Sequence, residues 1–326
     1  MSLGGFRWHF KGNIMNKRNC PVCDRSEAVV IMRFTPELLS EINPNYHFKE
    51  FKNILEGKEE FLAYSRCRNC GMVYCEHIWD DDTIRRIYVD TVDHSRNKDE
   101  ILLISKRVSL ARIWANILRT LKLLGKEKLG DLKIIDFGCG WGDFLDMVYG
   151  YGVNAVGYDL DSDKTELATE RGQRIVRDID ELKSYGPVDV VVMLSVLEHL
   201  QEVKYSLNLV KDMLKKGGLF VFSVMDYRSI YIKRNVNRLK NKLPALTSNL
   251  NPVFHVNVYD YKSVMRTMKN YNFDFVSTDN VLSFTDFYKI RNSMWPVRFF
   301  NWVEWLSTKV IMWSELGMTV YVVNKK

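Results

Sequence analysis

Between residues 131 and 224 the chain repeatedly alternates a short, β-branched apolar run with an amphipathic stretch of helical length. KLGDLKIIDFG reads as a buried strand, DFLDMVYGYG as a helix ended by glycine, AVGYDLD as a strand and DKTELATERG as a helix closed by glycine. RIVRD reads as a third strand, PVDVVVML as a fourth, HLQEVKYSLNLVKDMLKKGG as a helix and LFVFSVMD as a fifth strand. Apolar strands separated by helices of this length fit a parallel sheet covered on both faces, so the expected class is α/β.

The flanks differ in texture. Residues 1–15 read as a tail, compatible with an expression-vector scar ahead of a natural start at Met15. Residues 16–95 carry paired cysteines, many polar residues and no sustained periodicity, which predicts a small module held by a metal rather than by a core. A helix connecting the two parts is predicted within 96–130, with Ile104, Val108, Ala111, Ala115 and Leu118 on its apolar stripe. The remaining unit, 131–326, ends in two further strands, NFDFVSTDNVL and MTVYVVNKK, around an aromatic-rich insertion at 283–317.

No apolar run approaches the roughly 20 residues that span a bilayer, and no secretory apolar segment precedes the first cysteine, so a cytoplasmic protein is expected. The net charge of +7 is spread thinly, which reads as a solvated surface before it reads as a nucleic-acid footprint.

A glycine-rich turn sits between the first strand and first helix of the alternating region, in IIDFGCGWGDF. Such a turn lets backbone approach a ligand with no Cβ in the way. Its spacing is G-x-G-x-G, and Asp143 stands where the dinucleotide fingerprint wants its third glycine. Asp136 precedes the loop, where it would repel a pyrophosphate but suit a ligand carrying an ammonium and a sulfonium. Asp159, ending the second strand, is placed for ribose hydroxyls. The plain alternative is a tight turn holding nothing.

DFGCGWG, followed by VGYDLD, DVVVMLSVLEHL and LKKGGLFVFSV, resembles the class I S-adenosylmethionine-dependent methyltransferases, in the subgroup with an E-H-L tripeptide after the fourth strand. The resemblance covers roughly residues 100–326 and implies a Rossmann-like, seven-stranded, mostly parallel sheet whose last strand is antiparallel. It implies that Gly138, Cys139, Gly140 and Gly142 line the methionine part of the cofactor, with Asp136 near its amino group. Asp159 and Leu160 would hold the ribose and flank the adenine, Asp178 and Ile179 would meet the adenine edge, and Leu194 and Ser195 would sit beside the sulfonium and methyl. Lys216 in LKKGG stands where relatives often have proline, which touches a turn and not the chemistry.

Cys20 and Cys23 (CPVC) and Cys67 and Cys70 (CRNC) form two C-x-x-C pairs, which without a signal peptide read as a zinc site before disulfides. Each knuckle supplies two of the four thiolates a structural zinc ion wants. Gly71 follows the second knuckle and permits its turn, whereas Asp24 occupies the equivalent place in the first. The long spacing between the pairs makes FTPELLSEINPNYHFKEFKNILEG an insertion, and Cys75 reads as packing. CPVC through YSRCRNCGMVY resembles the zinc-binding, ribbon-like segment preceding many bacterial methyltransferases of sugar and glycan biosynthesis, which implies a sugar nucleotide, glycan or related small metabolite as acceptor.

Methyl transfer needs an acceptor atom held about 3 Å from the methyl, on its far side, and a base for the acceptor's proton. His199 in LSVLEHL lies at the C-terminal end of the fourth strand, where open α/β sheets place ligands, and His255 in FHVNVYDYKSVM resembles the H-x-N segment that packs over the acceptor pocket in this subgroup. The plain alternatives are a helix cap for His199 and a loop anchor for His255. Glu198 is a candidate to orient His199 or join a divalent metal, and Asp189 to fix the start of its strand. Trp295, Trp302, Trp305 and Trp313 mark the late insertion as a buried lid or dimer face, with a cover for a lipid-linked acceptor, or peripheral membrane contact through 290–313, as the sharper reading. Two rival functions stay open: an RNA methyltransferase gripping phosphates with the cysteine module and YIKRNVNRLKNK, and a methyltransferase-fold binding protein that has lost its chemistry.

Overall fold

The computed structural model describes residues 15–35, 38–39, 62–80, 83–84, 104–126, 128–224, 251–276 and 318–324. The insertion at 283–317, the basic loop YIKRNVNRLKNK, residues 1–14 and most of the segment between the cysteine pairs lie outside them. In chain order come β1 (Met15–Lys17), β2 (Ala28–Arg33), β3 (Ala63–Cys67), β4 (Val73–Tyr74), β5 (His77–Trp79) and helix α1 (Ile104–Leu123). Then follow β6 (Lys133–Phe137), α2 (Asp143–Tyr149), β7 (Asn154–Tyr158), α3 (Ser162–Glu170), β8 (Ile175–Val176), α4 (Ile179–Tyr185), β9 (Val188–Leu194), α5 (Val203–Met213) and β10 (Leu214–Val224). β11 (Asn257–Val258), α6 (Tyr261–Asn270), β12 (Phe273–Phe275) and β13 (Met318–Asn324) complete the described elements.

The fold is the expected α/β one. Seven strands lie in the order β12-β13-β10-β9-β6-β7-β8. β10, β9, β6, β7 and β8 pair in parallel, and β13 runs antiparallel to both β10 and β12. Side chains alternate across the sheet: Val191, Met193, Phe220 and Phe222 enter one core, while Val190, Val192, Leu219 and Val221 enter the other. Both faces are apolar, which is why the strands read as continuous hydrophobic runs.

Three local readings need correction. The buried stripe of α1 is Leu110, Ile113, Trp114, Ile117 and Leu121, packed against Phe144, Leu145 and Val148. Val108, placed on the apolar face from sequence, is 50% exposed, and Ala111 is exposed as well. The helix carries apolar residues around much of its circumference, and the indole of Trp114, edge-on to Phe144, selects the face. Helix α4 was overlooked because DELKSY is polar and short; Asp178 caps it by accepting from the backbone N–H groups of Asp180 and Glu181. LKKGG belongs to β10, where Leu214 pairs with Val188 and the register then shifts before Leu219. Gly217, at φ +69°, accommodates the irregularity.

Asp189 fixes the start of β9, as expected. It is buried, accepts from Lys126 Nζ and, at 2.8 Å, from Lys215 Nζ, and takes the Lys133 backbone N–H at 3.1 Å. These charge-assisted bonds hold its carboxyl below the usual range despite burial.

The cysteine segment contributes β2, β3 and β4 to a second antiparallel sheet, and its edge next to β4 is completed by β11 from far along the chain. Cys20, Val22, Cys67, Met72 and Tyr74 share one apolar cluster with Tyr259, Val264, Met268 and the main sheet. α6 seals the junction: Arg266 donates to the Cys70 carbonyl, and Asn270 Nδ2 donates to the Val22 carbonyl at 3.1 Å.

Candidate active site and cysteine cluster

The glycine loop joins β6 to α2 at the C-terminal ends of the parallel strands. Gly138, Gly140 and Gly142 all have positive φ, at +78°, +52° and +74°. At Gly138 a Cβ would overlap Val196 of the loop after β9, and at Gly142 it would overlap the Gln173 amide, whose Nε2 donates to the Gly142 carbonyl at 2.9 Å. These two glycines are therefore required by packing as well as by φ. Val196 and Gln173 carry no motif that would have flagged them in sequence.

Four of the loop's N–H groups are turned toward the protein. Gly138 and Cys139 donate to the Tyr158 carbonyl at 2.7 and 3.1 Å, Gly142 donates to the Cys139 carbonyl at 2.9 Å, and Gly140 donates to Asp159 Oδ2 at 2.8 Å. A phosphate-binding nest needs such donors pointing outward. The other oxygen of Asp159 accepts the Asp161 N–H at 2.9 Å, so each oxygen has one N–H bond and keeps a lone pair for a further donor.

Asp136 is buried at the end of β6, and its carboxyl is pushed up to about 8 by burial first, then by Asp159 and Asp143. Asp159 is raised too, chiefly by burial, against the pull of its two N–H donors. Asp143 opens α2 and is paired with Lys106 Nζ at 2.7 Å. A cation beside the loop would favour the ionised forms of Asp136 and Asp159, which burial opposes. Burial raises the Cys139 thiol, which is packed and poorly reactive.

Among the remaining expected contacts, Leu160 is 75% exposed beside Asp159, an apolar side chain left on the surface. Asp178 is exposed and already occupied as the α4 cap, while Ile179 packs against the core. Leu194 is half-buried at the end of β9; Ser195 is exposed, at φ +53°, with its N–H bonded to Ser223 Oγ at 2.9 Å.

The two histidines meet, with ring centroids 4.6 Å apart at 62°. His199 Nδ1 lies 3.1 Å from the Phe254 carbonyl, which only accepts, so Nδ1 carries the proton and Nε2 carries the lone pair. Burial first, and His255 second, hold His199 well below the usual imidazole value. Glu198 is 5% exposed, pushed up to about 8 by burial, and its Oε2 has no hydrogen-bond partner among the described residues.

Asn257, the third residue of H-x-N, holds the E-H-L loop. Its Nδ2 donates to the carbonyls of Leu197 at 3.0 Å and Leu200 at 2.7 Å, and its N–H donates to Glu198 at 3.0 Å. H-x-N spacing was the available signal for this residue. Tyr64, from the cysteine segment, donates to the His255 carbonyl at 2.8 Å and had no such signal.

The matched family is described as Methyltransferase domain, and it covers residues 108–278, more than half the chain. The chain belongs to this methyltransferase domain family. Among curated relatives, the ubiquinone biosynthesis O-methyltransferase of Colwellia psychrerythraea is 30% identical over 110 residues, covering 31% of this chain and 45% of that protein. The corresponding protein of Pelagibacter ubique is 24% identical over 127 residues, covering 36% and 53%. The chain thus spans about half the length of these relatives. A solved magnesium protoporphyrin IX methyltransferase from Synechocystis, with bound SAH, is 14% identical, covers 74% of this chain and 93% of that one, and has a TM-score of 0.45. Within this methyltransferase domain the matched stretch contains the glycine loop, the acidic pocket and both histidines.

Four cysteine sulfurs lie within 4.8 Å of one another, with Cys20–Cys70 at 3.4 Å and Cys23–Cys67 at 3.5 Å. The knuckles are near copies: Asp24 N–H donates to Cys20 and Gly71 N–H to Cys67, while Cys20 N–H donates to Arg25 and Cys67 N–H to Met72. Asp24 adopts φ +58° and Gly71 φ +78°, so the aspartate takes the left-handed turn its glycine counterpart takes. Asn19 Nδ2 steadies it through the Asp24 carbonyl at 3.3 Å. Cys75 is buried away from the cluster with its Sγ toward the Pro252 carbonyl, as packing requires.

Proposed function

We propose that this chain is an S-adenosylmethionine-dependent O-methyltransferase acting on an acidic hydroxyl of a small organic molecule. The observation that carries the reading is the acidic glycine loop: Asp136 and Asp159 stand beside a turn in which the N–H groups of Gly138, Cys139, Gly140 and Gly142 are bonded inside the protein. Asp136 would take the ammonium, Asp159 the ribose hydroxyls through its remaining lone pairs, and exposed Leu160 one adenine face. When bound, S-adenosylmethionine supplies an electrophilic methyl on sulfur.

The protein's own part is to remove a proton and hold geometry. His199 stays neutral in the physiological range, with Nδ1–H held on the Phe254 carbonyl and the lone pair on Nε2. A base held so far below its ordinary value is weak, so its driving force is small. It suits a hydroxyl with a pKa of about 10, as in a phenol, better than an alcohol nearer water's ~15.7. The relatives' printed role in ubiquinone biosynthesis supports this class of acceptor. A sugar or glycan acceptor rests only on the resemblance of the cysteine segment.

The four cysteines fit a structural zinc ion: a tetrahedron with bonds of about 2.3 Å needs sulfurs about 3.8 Å apart, and two sulfur pairs stand at 3.4 and 3.5 Å with all four sulfurs inside 4.8 Å. Metal analysis of the purified protein is expected to return one zinc ion per chain, and Cys67→Ser to lose it.

The test of function is methyl-labelled S-adenosylmethionine with fractionated lysate of the source cell. Label is expected in a small-molecule, organic-extractable fraction stable to ribonuclease. Label in polysaccharide would move the acceptor to a glycan, ribonuclease-sensitive label would favour the RNA reading, and failure to bind S-adenosylhomocysteine would leave a binding protein.

A further inference from the structure

We propose that Arg18, two residues before the first cysteine of the cluster, is a positioning residue for the histidine pair; this rests on the reading of His199 as the base. Its guanidinium reaches four acceptors. Nε donates to the Cys75 carbonyl at 3.0 Å, NH1 to the Gln201 carbonyl at 2.7 Å, and NH2 to the Val256 carbonyl and Asn257 Oδ1, both at 2.8 Å. Gln201 and Asn257 stand two residues after His199 and His255 respectively. One rigid, planar fork therefore grips both histidine segments at the same offset, from a third segment that also carries the cysteines.

The bond to Asn257 Oδ1 has a directional consequence. An amide's oxygen and nitrogen are nearly isosteric, and its neighbours decide which way it points. With Arg18 donating on one side, Oδ1 must face the guanidinium, and Nδ2 must face the carbonyls of Leu197 and Leu200 that bracket His199. Together with the Asn257 N–H on Glu198, this pins the backbone on either side of the histidine. The ring's own tether, the Phe254 carbonyl, belongs to the same stretch that Arg18 holds at Val256. Arg18 thus fixes both ends of the His199 Nδ1–H bond and selects the tautomer that leaves Nε2 as the proton acceptor.

The surroundings give Arg18 little alternative. The guanidinium carbon lies 5.7 Å from the Tyr74 ring centroid, and the Arg18 backbone N–H donates to the Glu76 carbonyl at 2.8 Å. Arg18 directly follows β1, which pairs with β5, while Val256 directly precedes and Asn257 opens β11, which pairs with β4.

The experiment compares Arg18→Lys and Arg18→Met with the native protein by side-chain ¹⁵N NMR of His199, zinc content, S-adenosylhomocysteine affinity and the kcat and KM of the identified acceptor. The lysine variant keeps a positive charge but loses the fork, and serves if the methionine variant does not fold. Expected are unchanged zinc and S-adenosylhomocysteine binding, a His199 signal that no longer reports a single Nδ1–H tautomer, and a kcat lowered by about 100-fold with KM little changed, the scale of an ångström-level misplacement. A native tautomer and kcat in both folded variants would overturn the proposal. If His199→Asn keeps native kcat while Arg18→Lys still scrambles the tautomer, the positioning stands and the assignment of the base falls.

Discussion

Replacing Asp136 by asparagine separates the ligand contact proposed for this carboxylate from its effect on the fold. Its value near 8 arises from burial and from Asp159 and Asp143. An ammonium binds the ionised form, so the empty protein must first release a proton. With a value of 8, about 1% of the carboxyl is ionised near pH 6 and about a quarter near pH 7.5, so the affinity for S-adenosylhomocysteine should rise about 20-fold across that window. His199, held well below its ordinary value, contributes no matching titration there. Titration calorimetry at three pH values reads the slope directly. In Asp136→Asn the affinity should be weak and the slope gone. The sign for stability is opposite: a carboxyl raised above its unfolded value keeps an extra proton in the native state, so its contribution falls as pH rises from about 4 through 8. The asparagine variant should therefore melt higher than the native protein at pH 8.5, by an amount worth a few kcal/mol at most. A flat affinity profile in the native protein, or the same slope in Asp136→Asn, would refute the acidic-pocket argument.

His199→Asn should lower kcat by about 10²–10⁴-fold with S-adenosylhomocysteine affinity unchanged in calorimetry. Gly142→Ala forces a Cβ into the Gln173 amide at φ +74° and should cost about 3 kcal/mol in urea unfolding, whereas Gly140→Ala, with only Lys164 Cδ at 4.0 Å, should cost about 1 kcal/mol from φ alone. Asp189→Asn strips Lys126 and Lys215 of their partner and should destabilise by about 2–3 kcal/mol, less than a fully buried pair because both ammonium groups reach solvent. Because the Asp189 value is depressed, its stabilisation is present above the unfolded carboxylate value and is lost as pH falls below about 4, and acid titration of native and variant proteins should converge there.

Much of the main sheet was legible because its evidence is local. Strands such as VDVVVML announce burial on both faces, and glycines at 138, 140 and 142 announce a turn that needs positive φ. The loop's acidic neighbours were equally readable, since Asp136 and Asp159 sit at strand ends. What was illegible depends on contacts distant in sequence. The face of α1 is chosen by its packing against α2, and Val108 and Leu110 look equally apolar until that partner is known. No short-range pattern says that NV at 257–258 would pair with VY at 73–74. Arg18 went unremarked because an arginine beside a knuckle is ordinary; only the fold brings Gln201 and Asn257 to it. Asp24 looked like a defect in the first knuckle, yet aspartate is among the residues that tolerate the left-handed region.

The pairing of β4 with β11 also sets an order for synthesis. The strand carrying Tyr74 leaves the ribosome about 180 residues before Asn257, and at roughly 5–20 residues per second its edge waits on the order of ten to forty seconds for a partner. During that interval the N-terminal segment has its knuckles but neither β11 nor α6, and its apolar residues Val22, Met72 and Tyr74 lack the surface that covers them in the finished chain. A nascent chain stalled before residue 257 is therefore an exposed sheet edge next to a cysteine turn, a natural substrate for chaperones and a hazard for aggregation.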